Sequence, residues 1–266
     1  MAHAPLPIVQ RRFGETMRTD AWWAQPTAVF VLLTAFVVYS TWAALQGNHY
    51  QYGPYLSPFY SPVIFGTGPH AWFQGTPSWW PTWFRYSPAI LILWAPGGFR
   101  FTCYYYRGAY YKAFWADPIS CSVGEPRKKY IGERHLPLIF QNVHRYFMYL
   151  AVIFLVFLAH DAWDAMWFTD AAGTAHFGIG VGSILLTANF CLLTGYTLGC
   201  HSLRHAVGGI LDRLSERPAR KLAYDCASCF NRAHLQWAWT SLIMVASCDI
   251  YVRLCSMGII RDMRLF

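Results

Sequence analysis

The chain has 266 residues, of which 55% are hydrophobic, 18% aromatic and only 13% charged, about half of the ~25% usual in soluble domains. Its mean hydropathy is +0.24, and its apolar runs reach the ~20 residues a helix needs to cross a bilayer, which excludes a soluble enzyme. The net charge of +8 sits in loops between those runs, so it reads as membrane topology and a docking surface rather than as a nucleic-acid face.

The first 22 residues carry Arg11, Arg12 and Arg18 but no apolar core ending in a cleavage site, so no signal peptide is expected. Eight cysteines without such a signal argue against a disulfide framework. The first span is predicted over 26–45, uncharged and free of histidine, with Trp22 and Trp23 as an interfacial anchor. Residues 47–84 form a long loop rich in Pro, Gly, Tyr and Trp without one Lys, Arg, Asp or Glu. It is expected to lie against the membrane surface, either capping a lipid-side pocket or as a bare interfacial cover.

The second span, 86–106, is interrupted by Ala95-Pro96-Gly97-Gly98, with Arg100 close behind the interruption. Pro and Gly break helical hydrogen bonding, which membrane depth tolerates only where other protein covers the freed backbone. An aromatic and basic segment comes next, framed by Cys103 and Cys121 and too polar to span, and residues 125–134 are strongly charged. The third span is predicted over 140–163, with His144 and Arg145 in its first turn and His160 in its last. The fourth, 177–198, runs into GYTLGCHSLRHAVGG, residues 195–209. The fifth covers 234–260 and carries Asp249 and Arg253 at i, i+4, where mutual pairing is the default for charges inside a helix.

The fold class is therefore an all-α integral membrane protein, a bundle of five transmembrane helices forming a single transmembrane domain over 1–266. The N-terminus, the loop after span two and the loop after span four are basic, and the other loops are nearly free of positive charge. The positive-inside rule then sets the N-terminus in the cytoplasm. That orientation collects Cys103, His144, Cys200, His201, His205 and His234 at one cytoplasmic edge. His201 and His205, at i, i+4, share a helix face that suits a metal, a haem iron or a quinone oxygen, with solvated interfacial histidines as the plainer reading.

Three motifs in this order, TCYYYRGAYYKAFW, QNVHRYF and GCHSLRH, resemble the membrane-anchor (cytochrome b-like) subunit of actinobacterial succinate dehydrogenases. The resemblance covers nearly the whole chain. It implies an anchor in the plasma membrane that holds a flavoprotein and an iron–sulfur subunit at the cytoplasmic face, with room for a further small membrane subunit. Electrons from succinate would pass through the iron–sulfur subunit to menaquinone. An anchor of fumarate reductase, a channel or transporter subunit, and a purely structural docking protein are the alternatives.

Related five-span anchors hold two haems between histidines that include residues of spans one and two. Those spans have no histidine here, which leaves room for one haem b built from two of His144, His201, His205 and His234. A Rieske-type [2Fe–2S] cluster takes two Cys on one iron and two His on the other. Cys103, Cys121, His201 and His205 make such a set and are preferred over the haem; zinc accepts the same ligands but relays no electrons. Cys226 and Cys229, at i, i+3, are the rival thiol pair. Cys191, Cys248 and Cys255 read as apolar packing residues. For the quinone, His144 and His234 are the expected hydrogen-bond partners, Arg145 the stabiliser of the reduced oxygen, and Trp237 a neighbour one turn beyond His234.

Overall fold

A computed structural model describes residues 12–81, 83, 89–117, 120–127, 134–136, 138–209 and 213–266. Eight α-helices dominate these residues: α1 Ala24–Gln46, α2 Ile90–Phe101, α3 Tyr104–Ala113, α4 His144–Asp164, α5 Val181–Leu198, α6 His201–Gly208, α7 Pro218–Arg232 and α8 His234–Ser256. Four helical stretches among the described residues are long and apolar enough to cross a membrane: Ala24–Gln46, Leu138–Asp164, Val181–Leu198 and His234–Ser256. They fall on the predicted first, third, fourth and fifth spans. The predicted second span is different. Residues 86–88 lie outside the described residues, and the remainder begins with α2, a helix of only 12 residues. At 1.5 Å per residue that is ~18 Å, short of the ~30 Å hydrocarbon core. The chain then breaks at Thr102 and Cys103 before α3 begins. Tyr-rich α3 follows as a separate helix of 10 residues.

The expectation of all-α structure needs one amendment, since three small two-stranded sheets occur in the loops among the described residues. The pairs are β1 (Gln51–Tyr52) with β2 (Tyr55–Leu56), β3 (Val63–Gly66) with β4 (Ala71–Gln74), and β5 (Trp167–Thr169) with β6 (Ala175–Phe177). Within the single transmembrane domain expected over 1–266, contacts group into two compact units, residues 1–35 with 102–142 and residues 36–101 with 143–266.

In the first unit the segment around Gly14 joins the loop after α3. The backbones of Gly14 and Glu15 bond to Gly124 at 3.1 and 2.9 Å, and Arg18 reaches Ser120 Oγ at 3.1 Å. Arg127 pairs with Asp117 and donates to the Trp115 carbonyl at 2.7 Å. Phe30 of α1 packs on Phe114, ring centroids 4.9 Å apart. Cys103 and Tyr106 are buried, whereas Cys121 is exposed.

In the second unit α5 lies between α4 and α8. α2 packs on α4 at Gly98, where an added Cβ would stand 2.1 Å from the Phe147 ring, so the close crossing requires glycine there. Part of the loop that the sequence places on the membrane surface is inserted among helices, every residue from 55 to 63 being buried, while Trp72, Phe73, Trp79 and Trp83 further along are exposed. Leu56, Phe59, Tyr60 and Val63 form one apolar cluster with Ala43, while Tyr55 packs with Leu186, Cys248 and Val252. A segment without charged side chains can enter at low desolvation cost, provided its polar groups find partners. They do. The Tyr60 hydroxyl donates to the Ala43 carbonyl at 2.8 Å and accepts from the Gly47 amide at 2.7 Å. Ser57 donates to Asp249 and Ser61 to Asp161.

Asp249, fully buried, also accepts from Tyr39 and, at 3.2 Å, from Arg253 Nε. Arg253 in turn donates to the Asn48 carbonyl at 3.0 Å. The default i, i+4 pairing is therefore present, and it also ties the inserted loop to α8. Asp262 in the C-terminal tail accepts from Tyr55 at 2.7 Å and Tyr251 at 2.6 Å, and the tail backbone bonds to Ile179 and Val181 at the start of α5.

Candidate functional site

A stack of rings stands where α2, α4, α5 and α8 meet. His144, 2% exposed at the start of α4, lies face to face with Phe99 of α2, centroids 4.9 Å apart and planes 9° apart. Phe99 touches Tyr196 of α5 at 5.2 Å. Tyr196 stacks on His234, the first residue of α8, at 5.1 Å and 15°. The Arg100 guanidinium sits 4.6 Å over the Tyr196 ring and is aimed by two bonds, to the Ala238 carbonyl at 2.9 Å and to Ser241 Oγ at 2.8 Å. His144 Nε2 is 3.2 Å from the buried thiol of Cys200, the residue that precedes α6. Two helix-opening histidines that are 90 residues apart in sequence are thus held on the same aromatic platform beside a fixed cation.

Below this platform is a cavity of about 460 Å3. Phe99, Arg100, Tyr196 and Thr197 line it on the platform side, and Leu158, Pro58, Phe59, Ser40 and Val245 on the other. The rest of its wall is supplied by Trp94, Leu93, Phe154 and similar side chains. A mostly apolar, concave space with a few polar groups at one end is the ordinary form of a small-molecule site.

The sequence-predicted residues divide as follows. His144, His234 and Trp237 lie in this region. The Trp237 ring rests against Gly195, where a Cβ would be 2.8 Å away, and its buried Nε1 has no hydrogen-bond partner among the described residues. Arg145 is exposed on α4, next to buried His144 in the chain but about 100° further round the helix. The guanidinium that lies over the ring stack is that of Arg100. His201 and His205 are exposed on α6, with Nε2 atoms 3.0 Å apart. Burial, His205 and Arg204 together hold the His201 imidazole below the usual histidine range. Cys103 and Cys121 belong to the first unit and His201 and His205 to the second. Among the described residues no three His, Cys, Asp or Glu side chains are gathered as a metal ion would need. Cys226 and Cys229 are exposed on amphipathic α7. Cys248 and Cys255 are buried, as packing residues should be, but Cys191 is exposed.

Sequence reasoning missed Phe99, Tyr196 and the cavity, and gave Cys200 and Arg100 no role. For Arg100 a signal existed: a cation beside Pro-Gly-Gly in an apolar stretch is a functional candidate by default. Nothing in the spacing of Phe99 or Tyr196 separates them from the chain's other aromatics.

Fold and site together define a multi-pass membrane subunit with an aromatic and histidine platform over an apolar cavity. Residues 24–258 match the family model for the actinobacterial succinate dehydrogenase subunit SdhC, and the chain belongs to that family. It is a membrane-anchor subunit of succinate dehydrogenase, a part of a succinate:quinone oxidoreductase that is not catalytic alone, and a multi-pass protein of the plasma membrane. A solved structure, the Mycobacterium smegmatis Sdh1 complex in the apo form, contains a similar chain. The two are 38% identical, with a TM-score of 0.83, over 99% of this chain and 96% of that one. No curated protein matches the chain.

Proposed function

We propose that this anchor binds menaquinone in the cavity below the ring platform and passes it electrons arriving from an iron–sulfur subunit, which docks with a flavoprotein subunit at the cytoplasmic face. The observation that carries this reading is the joining of two helix-opening histidines, His144 buried and His234 half-buried, with an aimed arginine and an apolar cavity at one place. Quinone reduction takes up two electrons and two protons, so it needs a cation for developing negative charge and imidazoles for proton transfer. Arg100 supplies the first, and His144 and His234 the second. Trp237, with its unpartnered Nε1, is a further donor on the same helix as His234. Arg145, exposed, suits lipid phosphate better than a quinone.

Five crossings with a cytoplasmic N-terminus belong to the same proposal. The basic loops support the orientation, and α2 serves as the second, broken crossing, its freed backbone covered where Gly98 meets Phe147. Basic α6 and α7 are the proposed docking surface: Arg220 caps α6 through the Val207 carbonyl at 3.0 Å, and Arg204 reaches Tyr224 at 2.6 Å.

A redox centre between the soluble subunits and the quinone would relay single electrons. The Rieske-type set Cys103, Cys121, His201 and His205 is supported in its imidazole half by the adjacent Nε2 atoms. A second reading is favoured by the thiol–imidazole contact of Cys200 with His144, which would make those two the ligands contributed by this unit. One haem b is the remaining alternative. In the purified complex a Rieske-like EPR signal lost in Cys103→Ser and His201→Ala supports the first set. Loss in His144→Ala and Cys200→Ser supports the second, and a haem absorption band refutes both. For the function as a whole, pull-down in mild detergent should recover a flavoprotein and an iron–sulfur protein, and recovery of the anchor alone with full quinone binding would refute it.

A further inference from the structure

At the end of the cavity opposite the ring platform stands not a helix but the inserted loop, through Pro58 and Phe59. Each flank of this pair is tied to a different helix by a buried carboxylate. Ser57 donates to Asp249 of α8, and Ser61 donates to Asp161 of α4. Asp249 is one turn beyond Val245 and Asp161 three residues beyond Leu158, and both Val245 and Leu158 line the cavity. The phenol of Tyr39, beside the lining residue Ser40, closes on Asp249 as well. Asp249 stands seven residues from the end of α8 at Ser256, ~10 Å inside the helix. Irregular backbone at such depth persists only where protein satisfies it or where it lines a cavity, and this loop does both.

We propose that Pro58 and Phe59 form a fixed floor that sets the depth of the quinone cavity, and that Asp249 and Asp161, acting through Ser57 and Ser61, are the positioning residues that hold it. This rests on the reading of the cavity as the quinone site. A quinone whose polar ring lies at Arg100 and Tyr196 directs its apolar substituent towards Phe59. The floor therefore decides how much of a prenyl chain the cavity accepts before the chain must leave sideways. Two ties to two helices fix the loop against rotation about either one, which a single bond would not.

The test uses the assembled complex and two probes, a naphthoquinone without a side chain and one with a long prenyl chain. Phe59→Ala removes the floor directly, and Ser57→Ala with Ser61→Ala releases it from both carboxylates. In each variant the ratio of KM for the long-chain to the tailless quinone should fall about tenfold, at the low end of what one group's worth of room is worth in a pocket. Succinate oxidation with an artificial dye should be unchanged, whereas a merely misfolded anchor would lower assembly and raise both KM values together. An unchanged ratio in Phe59→Ala overturns the floor, and a shift there with none in the serine variant overturns the carboxylates' positioning role. Ala44→Trp, which fills the cavity midway, checks the underlying reading separately: unaltered kinetics with both quinones would place the quinone elsewhere, whatever the floor variants do.

Discussion

The two ends of the cavity in the second unit are built on opposite electrostatic plans. At the floor stand two buried carboxylates held by donors: Asp249 takes bonds from Ser57, Tyr39 and Arg253, and Asp161 one from Ser61. At the platform, imidazoles lie flat on Phe99 and Tyr196, and the Arg100 guanidinium, bonded to Ala238 and Ser241, lies over the Tyr196 ring. A buried ion surrounded by its own partners is committed to holding elements together. A cation lying over a ring and imidazoles held by their faces are positioned for something else. The same bundle thus contains one polar cluster that fixes structure and one that presents chemistry.

The largest expected effect would break the floor side of this comparison. Asp249→Ala leaves Arg253, 5% exposed, without its buried counter-charge and should cost about 3–5 kcal/mol, read as a lower melting temperature of the detergent-solubilised complex. Asp249→Leu combined with Arg253→Met should recover most of it, since replacing a whole buried pair is often nearly neutral. If the single variant melts like the parent, the cluster does not hold the loop.

On the platform side, His234→Ala should lower succinate:quinone activity by about 100-fold, the low range for a lost proton-transfer group, while leaving succinate:dye activity and melting temperature near parental values. Survival of quinone activity would move the site away from the rings. Arg100→Gln should lower the same activity by about tenfold, with Arg100→Lys recovering part of it, because lysine keeps the charge but lacks the planar fork that reaches Ala238 and Ser241 together. Equal loss in both would mean that packing on Tyr196, not charge, is what Arg100 provides.

The smallest effect concerns the exposed pair on α6. Because burial, His205 and Arg204 lower the His201 pKa, protonation is harder in the folded helix than in the unfolded chain. The stability this leaves intact at neutral pH should be lost progressively as pH falls below the ordinary histidine value of about 6.5. Protection factors of the α6 amides, corrected for the intrinsic pH dependence of exchange, should accordingly fall between pH 7 and 5, and His201→Asn should flatten that dependence. A flat profile in the parent would show that neither burial nor the neighbouring His205 and Arg204 disfavours protonation of His201.

Much of this was determined by the sequence alone. Long apolar runs with few charges fixed four of the spans, because a bilayer admits little else. Three motifs in order carried the family, and Asp249 with Arg253 at i, i+4 were bound to pair. The second span was only half legible, since Pro96, Gly97 and Gly98 announce a break there, whereas α2 runs through them and the helix stops at Thr102 and Cys103 instead. Two things were decided by tertiary structure. The loop over 55–63 looked like surface because loops are normally solvated, yet its lack of charge permitted burial once Ser57, Ser61 and Tyr60 found acceptors on three different helices. The site lay beyond sequence for the same reason. Spacing exposes pairs on one helix, such as His201 and His205, but His144, Phe99, Tyr196 and His234 meet only when four separate helices pack, and no local period records which faces will touch.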